Sequence, residues 1–525
     1  MPARDRLARL RLTGLAGTVL MTAGAYGAGA LPAGDADAAV LPNGAVTAPA
    51  SYWWGLAGWL VGLAVLATAW WRLGAHLVAL PPGTVRLRHL LGTGLLWAAP
   101  LLFAPPTGSR DAYAYACQGA LWRDGVDPYS MGVLPGGCVW SDAVPGLWRQ
   151  TPTPYGPLAV VTSGGVVTLA RLAAASTDTQ LLIAVVLLRV VALAGLLLVA
   201  GCLPRLARAC GVDPVRASWL GLLSPLVMIH AVSGVHNDAL MVGLVSAALW
   251  LSLSGGATTA RTAALGGAGV LLGLAVAVKV TAVLALPFVV LLGTPRTAAA
   301  EPTAGRARPA GVTPVGTVAT GGAVVVAGGV GAFAGLSLAT GLDLGWLDAL
   351  TDTGRLVQWT SLPTGLGMAA GYLLRLAGAS GAFDLAVRVA RLLGLVALAT
   401  TVVVLLVRAW SATSAPAPTA RRRVVVATGL AFTALALLSP VFYPWYALTA
   451  VTVLAAGLSD RRWIRRAAGL VVLASLLVLP DGLGLAVLSK LPGALFDVLL
   501  VVVLAVLGYR AWSRRRRAAG RSLPP

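Results

Sequence analysis

Charge is what this sequence lacks. Only 11% of its 525 residues are Asp, Glu, Lys or Arg, against about a quarter in a soluble globular domain. Acid is scarcer than base: 18 Asp and Glu stand against 39 Lys and Arg, and Glu301 is the single glutamate. So few charges cannot clothe a chain of this length in water, which excludes a large soluble enzyme. Lysine is nearly missing, at Lys279 and Lys490 only, and there are four histidines and four cysteines. None has the spacing of a Cys/His metal site, so no metal is expected. No G-x-x-x-x-G-K-[ST] run occurs, which removes the phosphate-cradling nucleotide loop. No tandem repeat, heptad run or strand-rich region is present either.

What is there is apolar: 58% of the residues, with mean hydropathy +0.84. About 20 such residues cross a bilayer, and runs of that kind recur from end to end. The net charge of +21 does not point to nucleic acid, because the arginines sit in short clusters between apolar runs, the pattern that orients membrane proteins. The expected fold is an all-α integral membrane bundle of about 13–14 transmembrane helices. Spans are expected near 12–31, 53–72, 89–104, 179–203, 217–233, 238–255, 263–278, 280–293, 314–339, 384–408, 422–439, 444–458, 467–480 and 491–510. Arg4, Arg6, Arg9 and Arg11 precede the first, which reads as a retained signal-anchor, with a cleaved signal peptide as the alternative.

Both termini are expected in the cytoplasm. Arg72, Arg86, Arg88, Arg205, Arg208, Arg216, Arg261, Arg296, Arg306, Arg308, Arg408, Arg421–Arg423, Arg461, Arg462, Arg465, Arg466 and Arg514–Arg517 then share that side. The apolar stretches 157–172 and 364–378 are withheld from the count as outer-face interfacial or re-entrant helices. The long run 263–293 is expected to break at Lys279. The resulting sections are N-terminal spans (1–104), a first large outer loop (105–178), central spans (179–339), a second outer loop (340–383), and C-terminal spans with a basic tail (384–525). Residues 294–313 and 411–423 read as linkers.

Polar residues collect where the outer face is expected. Asp111 opens a surface helix directly after a span; it is either a general base or a helix N-cap. Tyr113 and Tyr115 follow it, and Tyr155 sits in T-P-T-P-Y-G-P-L; each is a candidate sugar contact or an interfacial anchor. His236, Asn237 and Asp238 form a polar run in greasy sequence, where ionisable groups are costly and raise functional suspicion. A cap needs one such residue, and three are present. Lys279 suits a lipid phosphate as a point charge, or snorkels to the interface. Arg110, Arg171 and Arg355 are further outer cations; Arg189 lies inside a span and needs a partner. Trp445 and Tyr446 are sugar-stacking candidates or aromatic-belt residues. Cys117 and Cys138 share the first outer loop, where an oxidising compartment permits a disulfide. Cys202 and Cys210 are expected to be free thiols.

In order, the motifs D-A-Y-A-Y-A-C-Q-G (from Asp111), G-V-D-P-Y, T-P-Y-G-P-L, H-N-D-A-L, A-V-K-V-T-A and S-P-V-F-Y-P-W-Y span roughly residues 90 to 450. Together they resemble the actinobacterial polyprenol-phosphomannose-dependent α-1,6-mannosyltransferases of the GT-C superfamily. The resemblance implies a GT-C-type bundle in the plasma membrane. It implies a polyprenyl phosphomannose donor, used as substrate with no cofactor, and a growing α-1,6-mannan acceptor, the backbone of lipomannan and lipoarabinomannan. The family's acidic residue of the first outer loop falls on Asp111. Many members carry two adjacent acids there; here Arg110 stands beside one, which makes Asp238 the candidate second catalytic carboxylate. Lys279, Arg110 and Arg171 become candidate donor-phosphate contacts. Tyr113, Tyr115, Gln118, Tyr155, His236, Asn237, Trp445 and Tyr446 become candidate sugar contacts. Arabinose or glucose on the same carrier would need the same groups, and a lipid or sugar transporter is the rival from another class. Nothing in the sequence fixes the oligomeric state.

Overall fold

Backbone in hydrocarbon must satisfy its own N–H and C=O groups, which leaves helices as the economical solution for one chain. The computed structural model describes residues 3–32, 39–40, 46–255, 258–294 and 315–520. Glu301, Arg296, Arg306, Arg308 and most of the 294–313 linker lie outside them. Among the described residues the chain is helical almost throughout, with one two-stranded ladder, Ala39–Val40 against Val46–Thr47.

The helices, in order, are α1 (Ala3–Ala28), α2 (Ala50–Ala79), α3 (Leu87–Leu101), α4 (Asp111–Arg123), α5 (Gly146–Gln150), α6 (Pro157–Ala173), α7 (Thr177–Ala209), α8 (Pro214–Leu222), α9 (Asp238–Leu251) and α10 (Thr258–Val278). They continue with α11 (Leu286–Gly293), α12 (Val315–Thr340), α13 (Trp346–Thr353), α14 (Leu362–Leu376), α15 (Phe383–Ser411), α16 (Ala417–Leu438), α17 (Ala447–Gly457), α18 (Arg461–Ala474), α19 (Leu485–Leu488) and α20 (Lys490–Gly520).

Each expected span coincides with helix, and the helices differ in length. Among the described residues six helices are long and apolar enough to cross a membrane: α2, α7, α10, α12, α15 and α20. A seventh results if α8 and the π-helical turn Val227–Ser233 count as one span bent by 66°. Composition alone cannot tell a full crossing from a half-helix. Helix α9, at 14 residues, is about 21 Å long and falls short of a hydrocarbon core of about 30 Å. The short helices end at polar chain reversals, and those reversals build the site. The run 263–293 does break at Lys279, which is extended (φ −155°, ψ 129°) between α10 and a 3-10 turn, Val280–Ala285. Helices α6 and α14, the two stretches withheld from the count, have 17 and 15 residues.

The chain divides into two compact units. The first comprises residues 1–352, 402–433 and 444–484. Here α2 and α8 are locked by Trp70 and Trp219, stacked at 4.7 Å, each indole N–H donating to the other residue's carbonyl. Helices α7 and α9 touch through bare backbone: a Cβ on Gly195 would lie 2.3 Å from the Ala239 carbonyl oxygen. The second unit comprises 353–401, 434–443 and 485–525. In it Arg391 donates to Thr364 Oγ1 and to the carbonyls of Gly354 and Leu356, while Ser361 and Thr364 donate to the carbonyls of Ser439 and Pro440.

Candidate active site

Helix α4 is fixed at its start by the chain that enters it. Gly108 has φ +80° and donates its N–H to the Pro480 carbonyl; a Cβ there would press within 3.0 Å of the His230 ring. Ser109 Oγ accepts from the Asp111 N–H at 2.9 Å. Arg110 occupies the N-cap position, and its guanidinium donates to the Ala143 carbonyl at 3.0 Å. Asp111 is therefore the first helical residue, not the cap, and it is buried, 6% exposed. Further along, the Tyr113 hydroxyl donates to the Ala30 carbonyl at 2.6 Å. Cys117 is disulfide-bonded to Cys138, while Cys202 and Cys210 are free thiols. Replacing Cys117 and Cys138 together with alanine is expected to cost about 3 kcal/mol of stability by the loop-closure argument, read as a lowered melting temperature in detergent.

The second half of the site comes from a chain that never completes a regular helix. The π-helical turn, a form frequent at functional sites, ends at Ser233. Val235 then takes φ +61°, a left-handed conformation strained for a β-branched residue. That bend turns His236 inward. Its Nδ1 lies 3.5 Å from Asp111 Oδ2, and its ring stacks on Trp445 at 4.0 Å. The imidazole is fully buried, and neither ring nitrogen has a formed hydrogen bond. Asn237 encloses both carboxamide atoms without a hydrogen bond, and it makes no side-chain cap to α9. Asp238 opens α9 and accepts from Lys279 Nζ on both oxygens, each at 3.0 Å. The same ammonium sits 4.1 Å from the centre of the Tyr446 ring, a cation–π contact.

Tyr115 and Tyr155 meet edge to face at 5.3 Å. Burial pushes both phenols well above their usual range. For Tyr115 the neighbouring Tyr155 phenol and then Asp111 add to this; for Tyr155, Asp111 comes next after burial. Both hydroxyls therefore stay protonated through neutral pH and can donate hydrogen bonds. A narrow cleft is lined by Tyr115, Ser163, Asn237 and Val278. Among the described residues no three His, Cys, Asp or Glu side chains are grouped to hold a metal ion.

The structure thus gathers Asp111, Tyr115, Tyr155, His236, Asp238, Lys279, Trp445 and Tyr446. Several sequence expectations change. Arg171 is not in the cluster: it holds Asp124 bidentately at 2.5 and 2.9 Å. It lies about 21 Å along α6 from Pro157, whose neighbour Gly156 donates to the Val278 carbonyl. Arg171→Ala is accordingly expected to leave turnover within about twofold of wild type, a surface-pair effect, measured in the transfer assay below. Arg171 also draws the Asp124 carboxyl below its ordinary value. That small stabilisation is present at neutral pH and is lost only in acid, as Asp124 protonates. Tyr113 is tied to the Ala30 carbonyl, and Arg110 to that of Ala143, so both brace α4. Gln118 is buried on α4. Trp445 is no belt residue: it is buried, one face taken by imidazole. Lys279 is not a solitary cation but Asp238's partner. Sequence reading gave His230 only a bond to a neighbouring carbonyl, yet it is buried 5.5 Å from His236 and 5.4 Å from Trp445, ring centre to ring centre.

Carboxylates and an imidazole buried where apolar helices break mark a functional site of a membrane protein, and similarity to known proteins makes that protein an enzyme. Residues 11–295 match the family described as alpha-(1->6)-mannopyranosyltransferase, N-terminal domain, and residues 363–509 match the MptB C-terminal domain. The chain is 32% identical over 478 residues to alpha-(1->6)-mannopyranosyltransferase A of Mycobacterium tuberculosis, covering 89% of this chain and 84% of that one. A second alpha-(1->6)-mannopyranosyltransferase of that organism is 31% identical, covering 98% and 89%. Alpha-(1->6)-mannopyranosyltransferase B of Corynebacterium glutamicum is 29% identical, covering 97% and 83%. No solved structure matches. The chain belongs to the alpha-(1->6)-mannopyranosyltransferase family, a family of mannosyltransferases.

Proposed function

We propose that this enzyme moves mannose from polyprenyl phosphomannose to a hydroxyl of an α-1,6-mannan on the outer face of the plasma membrane, inverting the anomeric centre. The observation that carries this is the buried Asp111 carboxylate, set 3.5 Å from His236 and beside the Tyr115 and Tyr155 phenols. Asp111 takes the proton of the acceptor hydroxyl as its oxygen bonds to the sugar's anomeric carbon. The bond from that carbon to the phosphate oxygen breaks, and polyprenyl phosphate leaves with the electron pair. Direct displacement converts a β-linked donor into an α-linked product. His236 is the nearest base to which the proton on Asp111 can pass.

The phosphate gains negative charge as it departs, so a fixed cation helps more than a proton donor. Lys279 directs two N–H groups at Asp238 and keeps a third for a phosphate oxygen. Asp238, bound to that ammonium, serves as its anchor rather than as a second base. The outer-face assignment is supported by the arginine clusters, which orientation rules place in the cytoplasm with both termini.

The test is transfer of radiolabel from polyprenyl phospho-mannose to a short α-1,6-mannoside by membranes containing the chain. The expected product is cleaved by an α-mannosidase and resists a β-mannosidase. No product, with the protein verified in the membrane, overturns the donor assignment; arabinosyl and glucosyl carriers come next.

A further inference from the structure

Arg189 sits midway along α7, 5% exposed, where a guanidinium without counterion is costly. Its hydrogen bonds go to backbone carbonyls, not to a carboxylate. Nη1 donates to Leu102 at 2.7 Å; Nη2 donates to Ala104 at 2.6 Å and to Ser233 at 3.3 Å. Leu102 is the C-cap of α3, and Ser233 is the last residue of the π-helical turn. Both are helix C-termini, where unpaired carbonyls carry partial negative charge. One cation therefore answers two helix ends.

Those two ends are the roots of the two halves of the site. Ala104 begins the segment that reaches Asp111, and Ser233 stands three residues before His236. Between them the chains are zipped: Thr107 Oγ1 donates to Ser233 Oγ at 2.9 Å, and a Cβ on Gly234 would strike the Thr107 carbonyl at 2.7 Å. We infer that Arg189 is a positioning residue, holding the Asp111 segment and the His236 segment in register so that carboxylate and imidazole meet. The planar fork of the guanidinium spreads its donors across carbonyls from both ends, whereas a lysine's donors radiate from a single nitrogen.

This inference rests on the proposed role of Asp111 and His236, so its first readout needs no turnover. Hydrogen exchange on Arg189→Gln is expected to speed in peptides covering 102–112 and 229–240, where the Gly234 and His236 amides are bonded to Ile229 and His230 carbonyls. Peptides from the rest of α7 are expected to be unchanged. Unchanged exchange at both joints overturns the inference whether or not mannose is the sugar. In the transfer assay, kcat per folded molecule is expected to fall about 100-fold, the cost of an ångström-scale misplacement, with donor KM within about twofold. Arg189→Lys is expected to recover part of it. A wild-type kcat per folded molecule overturns the inference while leaving the function standing. If Arg189→Gln does not fold, Ser233→Ala and Thr107→Val loosen the same joint. Wild-type exchange at both joints in these two variants would equally sink the idea.

Discussion

Membranes carrying Asp111→Asn are expected to transfer mannose about 10²- to 10⁴-fold more slowly than wild type, the range a general base supplies. The amide keeps the shape of the carboxylate and cannot take a proton. The carboxylate's ion-pair neighbour among the described residues is His236, 3.5 Å away. The backbone N–H of Asp111 still bonds Ser109 Oγ, α4 is still held by Tyr113 and the Cys117–Cys138 bridge, and Arg110 remains on Ala143. The variant is therefore expected to reach the membrane at wild-type level, with donor KM little changed, because the loss falls on the step that moves the proton. Turnover within tenfold of wild type would remove Asp111 as the base. A loss of folded protein in step with activity would make it a structural residue. His236→Gln provides the companion measurement. It removes the proposed proton acceptor and leaves the carboxylate, so its loss in kcat is expected to be smaller than that of Asp111→Asn.

The candidate base was legible in the sequence, and its setting was not. Asp111 could be singled out because it follows an apolar run directly and opens the first of six distinct motifs that follow in order along the chain. The H-N-D run stood out because one cap does not need three polar residues. The break at Lys279 was readable from a lone cation in a run too long for one span. What stayed hidden is non-local. Asp124 and Arg171 pair across 47 residues, and Asp238 and Lys279 across 41; no local spacing specifies either. The strain at Val235 was equally invisible, since valine is the residue least expected there. Trp445 looked like an interfacial aromatic because sequence gives its neighbours along the chain, not the imidazole stacked on its face. Which short helices are half-spans was hidden for a related reason: hydropathy registers apolar length, while a helix ended by a polar reversal has the same composition as one that continues.

The Asp238–Lys279 pair carries the second large effect, and it separates two meanings of one lysine. Each member is buried and answers the other, so removing one leaves an uncompensated charge. Lys279→Met is expected to destabilise the protein by about 3–5 kcal/mol, the usual cost of breaking a buried pair, seen as a sharp drop in melting temperature in detergent. Asp238→Asn is expected to fall in the same direction, since the ammonium keeps only the Tyr446 ring and the new amide oxygen. The double variant Lys279→Met/Asp238→Leu removes both charges and is expected to recover most of the stability, as apolar replacements of buried pairs commonly do. Its activity decides the question. If Lys279 serves only the fold, the double variant transfers mannose at the wild-type rate. If Lys279 meets the phosphate as it leaves, the double variant folds yet loses about 10- to 100-fold in kcat/KM, the worth of one hydrogen bond to a charged group. The loss is expected in kcat more than in donor KM, because the phosphate gains its extra charge only as the bond to the sugar breaks. The proposed function expects the second outcome: an ammonium fixed by two carboxylate oxygens and an aromatic face needs little rearrangement when that charge develops.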